Sequence, residues 1–157
     1  MNRQLIIVPN EILRQRCGPI EEITPFVRGL AGDLDDFLNA EYDDVVAVSI
    51  SAPQLGESIR MFAFRFNPYS TMPSTQVIIN PELIYGRKLR TMFETCFSIP
   101  DKKFTLQRYL VVKVRGMMLD GNERSFKVHD IVAQAVQHEL NHLDGVLIDE
   151  LGEEVNG

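Results

Sequence analysis

The pattern of apolar and polar positions along the chain predicts an amphipathic helix and a series of short strands. The helix begins at Thr24-Pro25, where a proline suits the first turn, and runs to about Tyr42. Runs rich in apolar and β-branched residues predict strands at residues 5–8, 45–50, 60–66, 76–81, 110–116 and 123–128. The last two runs are joined by Leu119-Asp120-Gly121-Asn122, which has the composition of a hairpin turn. This mixture, without repeats or linkers, predicts one α+β domain over residues 1–157 with antiparallel sheets.

A last helix is predicted between Asp130, which suits its start, and Gly145, which suits its stop. One stripe of this helix is apolar and is expected to pack in the core: Val132, Val136 and Leu143. A second stripe mixes small, apolar and polar side chains, as the wall of a cavity does: Ile131, Gln134, Ala135, His138 and His142. We therefore expect this helix to be central, with the core on one side and a site on the other.

The segment from His138 to His142 has the pattern H-E-x-x-H, which is typical of metal-binding helices. Each residue of a helix advances by about 100°, so the two imidazoles lie about 40° apart around the axis and can reach one ion. Glu139 projects between them and can hold or deprotonate a water molecule on that ion. The pattern also occurs by chance in unrelated helices, and two imidazoles leave a catalytic site short of its third ligand.

Cys96 is the most attractive third ligand, because a carboxylate, a hydroxyl and a proline lie within four residues of it. A thiolate and two imidazoles with one open position suit Zn(II) or Fe(II). The remaining histidine, His129, precedes the helix and is predicted to point away from the pair. The ordinary alternative for Cys96 is a buried small side chain, and we expect that role for Cys17.

Composition narrows the classes of function. The net charge of -6 argues against general nucleic-acid binding, which needs basic patches. No apolar run approaches the length of a membrane span, and the start of the chain does not have the form of a secretory signal. Two cysteines far apart in sequence fit a reducing, cytoplasmic compartment, or an organelle if a transit peptide has been removed. We expect a monomer without nucleic-acid or membrane contacts.

Three motifs in order make the chain resemble the peptide deformylases over nearly its whole length. That family carries G-x-G-x-A-A-P-Q, E-G-C-x-S and H-E-x-D-H, which correspond here to residues 47–54, 94–98 and 138–142. Residues 9–14 and 79–82 are also similar to the family. Three ordered motifs are far more specific than one, so the resemblance strongly favours a metal site.

The resemblance implies a metal-dependent hydrolase that removes the N-formyl group from the formylmethionine of nascent polypeptides and releases formate. It implies one divalent ion, Fe(II), with Zn(II), Ni(II) or Co(II) as substitutes. Three side chains would hold that ion: Cys96, His138 and His142. Hydroxide made on the metal would attack the formyl carbon, with Glu139 as general base and then general acid. The Gln54 amide and the Phe97 backbone N–H would stabilise the oxyanion.

The methionine side chain of such a substrate needs an apolar slot, for which the last helix offers a wall before His138. Substrate contacts are expected from that wall and from the motif segments: Val48, Ser49, Met92, Glu94, Ile131, Gln134 and Ala135.

The chain is a divergent member by this resemblance. Five motif positions differ from the family: Ala47 and Ser49 for glycines, Ser51 for alanine, Thr95 for glycine and Asn141 for aspartate. A serine at position 49 would be strained at positive φ and comfortable in a strand. Only twelve residues follow Gly145. This short C-terminal segment and the acidic charge argue against direct ribosome docking and leave transient association with the ribosome open.

Three alternatives remain open at this point. A zinc endopeptidase would share H-E-x-x-H and take its third ligand downstream, where Glu150, Glu153 and Glu154 lie. A non-catalytic homologue would bind metal or formyl-peptides without turnover, which the replaced glycines motivate and the retained Glu139 opposes. A covalent mechanism would use Cys96 as a nucleophile paired with a histidine.

Overall fold

The structure is a computed structural model that describes residues 3–42 and 45–156. Residues 1, 2, 43, 44 and 157 of the domain expected over 1–157 lie outside the described residues. The described elements, in chain order, are α1 Pro25–Asn39, β1 Ser49–Ser51, β2 Met61–Arg65, β3 Thr75–Cys96, β4 Ile99–Met117, β5 Glu123–His129, α2 Asp130–Leu143, α3 Ile148–Leu151 and β6 Glu153–Glu154, with 3₁₀ turns at Glu11–Arg14 and Ala52–Leu55. None of the described helices has the length and apolarity needed to cross a membrane.

The six strands form an antiparallel sheet in the order β1-β2-β3-β4-β5, and β6 pairs with β4. The long β3–β4 hairpin dominates it, with pairs that run from Ile79 opposite Met117 to Cys96 opposite Ile99. The hairpin expected at residues 119–122 is present, because β5 returns along β4 from Glu123. The α+β fold expected from the sequence is confirmed.

Strand β2 is buried along its whole length because helices cover both of its faces. Met61 and Ala63 belong to the same cluster as the buried side chains of α1, such as Leu34. Phe62 and Phe64 alternate with them and belong to the cluster that contains buried residues of α2. The period-two alternation of a strand thus joins the two helices through one sheet.

Helix α2 is the central helix of the fold, as predicted. Its expected core stripe of Val132, Val136 and Leu143 is buried against the sheet. The helix ends as expected, since Gly145 adopts a φ of 74° just beyond its C-cap. A Cβ at Gly145 would lie 2.7 Å from the carbonyl oxygen of Arg14, so the chain passes close to its N-terminal segment there.

Residues 5–8 were expected to form a strand and do not. In this segment Ile6 donates to the Gln54 carbonyl at 2.7 Å and Val8 to the Ser98 carbonyl at 2.9 Å. Two single hydrogen bonds to different segments tie the chain down without forming a ladder. The strand expected at 45–50 is likewise confined to Ser49–Ser51.

The strand expected at residues 76–81 does not stop at Pro81. Strand β3 continues to Cys96 through a register shift between Ile79 and Glu82, and Asn80 takes a φ of 49° there. A proline is tolerated in a strand at such an irregularity, because its missing N–H is not needed for the ladder. The partner strand β4 also begins earlier than expected, at Ile99 rather than at residue 110.

Candidate metal centre

The end of β3 and the C-terminal half of α2 bring one thiol and two imidazoles together. The Nε2 atoms of His138 and His142 lie 3.1 Å apart, and the Cys96 sulfur lies 3.3 Å from the Nε2 of His142. The three candidate ligand atoms all lie within 4.8 Å of one another, and all three residues are buried. His129, by contrast, is exposed on β5 and outside this cluster.

The donor set fits a divalent ion. In a tetrahedral site with bonds of about 2.0–2.3 Å, the ligand atoms lie roughly 3.3–3.6 Å apart. The distances from the His142 Nε2 to the Cys96 sulfur and to the His138 Nε2, 3.3 and 3.1 Å, are close to this range. Burial and the charge of His138 lower the pKa of His142 well below its usual value, which favours the neutral imidazole that a metal requires. The arrangement can therefore hold a metal ion and leave a face open to the cavity.

Glu94 fixes the orientation of His138. Its carboxylate accepts a hydrogen bond from the His138 Nδ1 at 2.8 Å, which turns the opposite nitrogen towards the other ligands. Burial alone would lower the pKa of His138, but the charge of Cys96 and the hydrogen bonds to Cys96 and Glu94 raise it well above its usual value. Glu94 was expected to contact substrate, and its hydrogen bond to His138 also makes it a support of the candidate ligands.

Arg108 and Gln134 hold Glu94 in turn. Arg108 donates to both carboxylate oxygens of Glu94, at 3.0 and 2.6 Å, and Gln134 donates to one of them at 3.1 Å. Burial would raise the pKa of Glu94, yet His138 and Arg108 lower it to about 2. Asn141 accepts a third hydrogen bond from Arg108, so this substituted position retains an acceptor.

Glu139 lies beside the ligands without being part of them. Its side chain is buried, one oxygen lies 3.8 Å from the Nε2 of His138, and Oε2 has no hydrogen-bond partner among the described residues. Burial raises the pKa of Glu139 to about 7, partly offset by His138 and by the Ser51 and Ser49 hydroxyls. A carboxyl group with a pKa near neutrality is suited to accept a proton and to return it.

The amide of Gln54 is oriented by Ser51, one of the positions that differ from the family. The Gln54 Oε1 accepts from the Ser51 backbone N–H at 3.1 Å and from its hydroxyl at 2.9 Å. The amide nitrogen is thereby turned towards the Ser98 hydroxyl at 3.1 Å and the Cys96 sulfur at 3.8 Å. This places an N–H donor next to the candidate ligands.

Cys96 and Phe97 lie at the tip of the β3–β4 hairpin, where packing and hydrogen bonds hold the turn. The Phe97 ring packs on Phe37 and Tyr42, at centroid distances of 5.2 and 5.1 Å. The Ser98 hydroxyl donates to the Ile6 carbonyl at 2.7 Å. Neither Ser49 nor Thr95 has a positive φ, so their replacement of glycine causes no left-handed strain.

A cavity of about 770 Å³ opens beside these groups. Six of the seven residues expected to contact substrate line it: Val48, Ser49, Glu94, Ile131, Gln134 and Ala135. Met92 does not line it, whereas its neighbour Phe93 does and is 65% exposed. Sequence analysis also missed Val45, Val46 and Val155 at this cavity, because nothing in their local pattern places them near the motifs.

Comparisons with known proteins agree with this geometry. Residues 2–155 match the family model described as polypeptide deformylase. A peptide deformylase of Mesorhizobium japonicum is 35% identical over 146 residues, which is 92% of this chain and 81% of the relative. A crystal structure of a peptide deformylase from Legionella pneumophila has a TM-score of 0.85 at 26% identity, over 95% of this chain and 85% of that chain. A Met-Ala-Ser-bound peptide deformylase from Acinetobacter baumannii has a TM-score of 0.81 at 25% identity, over 96% of this chain and 98% of that chain.

Proposed function

Since the chain belongs to the polypeptide deformylase family, it is a metal-dependent hydrolase that removes the N-formyl group from nascent polypeptides, and we propose that Cys96, His138 and His142 hold its metal ion. The observation that carries this assignment is the convergence of the three ligand atoms within 4.8 Å. The ion is Fe(II) in the native enzyme, and Zn(II), Ni(II) or Co(II) can replace it, because a thiolate with two imidazoles accepts all of them.

A divalent ion held by these residues supplies Lewis acidity, which makes water a stronger acid near neutral pH and polarises the formyl carbonyl. Glu139 takes up the proton released when water attacks the formyl carbon, and later delivers it to the leaving amine. Its buried Oε2, which has no other described partner, is the atom that carries the proton.

The developing negative charge on the formyl oxygen needs nearby donors. The Gln54 Nε2, which Ser51 orients, and the Phe97 backbone N–H fill this role. Each such donor is worth about 3 kcal/mol in the transition state. Glu94 and Arg108 act indirectly, by holding His138 in the orientation that the ligand set requires.

The substrate is the formylmethionine end of a polypeptide. Its methionine side chain lies in the part of the cavity lined by Ile131, Gln134 and Ala135 of α2, with Val48 and Ser49 nearby. The Met-Ala-Ser peptide bound by the Acinetobacter relative supports a site that extends beyond methionine. Residues 1–157 act as one catalytic domain and as a monomer in the cytoplasm.

A formate-release assay on formyl-Met-Ala peptides, with protein loaded anaerobically with Fe(II) or Ni(II), tests this function. We expect turnover in the unmodified chain and loss of both metal and turnover in Cys96→Ser. The matched control is Cys17→Ser, which changes the other buried cysteine in the hydrophobic core away from the site and is expected to keep the metal. Metal retention by Cys96→Ser with cleavage of internal peptide bonds would support an endopeptidase instead, and peptide binding without formate would support a non-catalytic homologue.

A further inference from the structure

We infer that the C-terminal segment around Val155 forms a lip of the substrate cavity and selects apolar side chains in the residues that follow methionine. This inference rests on the proposed function and adds a specificity-determining residue to it. Val155 lies outside all three family motifs and is part of the short segment that follows α3. It nevertheless lines the same cavity as Cys96, His138 and Glu139.

The segment is held in place against the hairpin. Glu153 and Glu154 of β6 pair with Thr105 and Phe104 of β4, and the Val155 N–H donates to the Lys103 carbonyl at 2.8 Å. The backbone at Gly152 packs closely against β4, since a Cβ there would collide with the Thr105 carbonyl oxygen. These contacts give Val155 a defined position beside β4.

The mouth of the cavity carries exposed apolar side chains from separate parts of the chain. Those that line it with exposed fractions of 36–65% are Val45, Val46, Phe93, Ile131 and Val155. The Lys103 ammonium lies 5.4 Å from the centroid of the Phe93 ring, which helps to hold that ring in place. A cluster of exposed apolar side chains is typical of a surface that binds a ligand.

The mouth belongs to the same cavity as Glu139, so the molecule that binds there is the rest of the formylated peptide. A formylated N-terminus that reaches Glu139 at the inner end must leave the cavity through its open side. The second and third residues of the peptide then meet the lip. Apolar side chains at these positions would bury area against Val155 and Phe93, whereas a substrate that ends at methionine would not reach them.

The test compares formyl-Met-Leu-Leu with formyl-Met-amide, using kcat/KM for each. Val155→Ser is expected to lower the ratio of the two values about fivefold, which corresponds to about 1 kcal/mol. Glu154→Ser is the matched control, because Glu154 belongs to the same segment without lining the cavity, and it should leave the ratio within about twofold.

Gly152→Ala provides a second variant that changes no cavity residue. By displacing the segment from β4 it is expected to lower the same ratio as Val155→Ser does. If Val155→Ser leaves the ratio of the two kcat/KM values unchanged, or lowers both kcat/KM values equally, Val155 does not contact the residues that follow methionine. If the unmodified, metal-loaded chain releases no formate from either peptide, the proposed function fails, and the lip fails with it.

Discussion

Glu139 combines burial with an oxygen atom that has no hydrogen-bond partner among the described residues. Because this group is the proposed proton carrier and is not a ligand, Glu139→Gln should retain the metal and lose about 10²–10⁴-fold in kcat. Metal content measured on the same sample as formate release separates the two effects. A fully active Glu139→Gln protein would show that another group moves the proton.

Glu94 should contribute to stability in a pH-dependent way. Its pKa falls from 4.5 to about 2 on folding, so its contribution is complete above about pH 4.5 and is lost as the pH falls towards 2. Glu94→Gln, which has no charge to titrate, should therefore lower the free energy of unfolding by roughly 3 kcal/mol at pH 7. The difference should shrink as the pH falls from 4.5. Urea unfolding of chelator-treated protein between pH 7 and pH 3 measures it.

The control for this experiment is Glu82→Gln, which removes an exposed carboxylate paired with Arg115. Exposed ion pairs contribute less than about 1 kcal/mol, so this variant should remain close to the unmodified chain. An equally large loss in both variants would contradict the importance of the buried network around Glu94.

Sequence patterns identified the candidate metal ligands better than the residues that support them. Cys96, His138 and His142 were predicted as one cluster, and the structure brings them together. The support from Arg108 was not predicted, because it depends on the register of β3 and β4, which brings two residues 14 positions apart into contact. Met92 was predicted to line the cavity and Phe93 was not, because the strand that carries both residues was expected to end at Pro81, so the side that each faces could not be inferred.

At the scale of elements, a methyl group added at Gly145, just after the end of α2, should lower the stability of the fold. Gly145 has a φ of 74°, and a Cβ would lie 2.7 Å from the Arg14 carbonyl oxygen. Gly145→Ala should therefore cost the 1–2 kcal/mol or so of a left-handed residue plus the cost of moving the N-terminal segment. Thermal or urea unfolding measures the loss.

Gly121→Ala is the matched control for this loss. Gly121 also has a positive φ, of 84°, but no atom lies within 4 Å of its Cβ position. The two variants share the backbone penalty, so a larger loss for Gly145→Ala measures the collision alone. Equal losses would show that the N-terminal segment moves away from the added Cβ without a measurable cost in stability.

The elements that sequence analysis predicted well are those whose signals are local. Helix α1 has a proline in its first turn and a Thr24 cap, and α2 has a clear apolar stripe and a glycine stop. Strand limits were predicted less well, because β3 and β4 support each other over long distances through bulges. The segment at 5–8 was apolar enough for a strand, but its two hydrogen bonds go to different segments.

At the scale of the whole molecule, the metal centre connects distant parts of the chain. Cys96 is the last residue of β3, whereas His138 and His142 belong to α2. Strands β4 and β5 separate β3 from α2 in the sequence. An ion that binds the folded chain and not the unfolded one stabilises it by about 2.7 kcal/mol at a hundredfold excess over Kd. Removing the ion should therefore lower the Tm by about 5–10 °C in a chain of this size.

Calorimetry or fluorescence-monitored melting, with and without a chelator, measures this difference. Cys96→Ser should abolish it, because the ion then loses its sulfur ligand, while Cys17→Ser should retain it. Restoring the metal should restore the Tm of the unmodified chain but not that of Cys96→Ser. A chelator that removes all metal from the unmodified chain without lowering its Tm would mean that the ion does not connect β3 to α2.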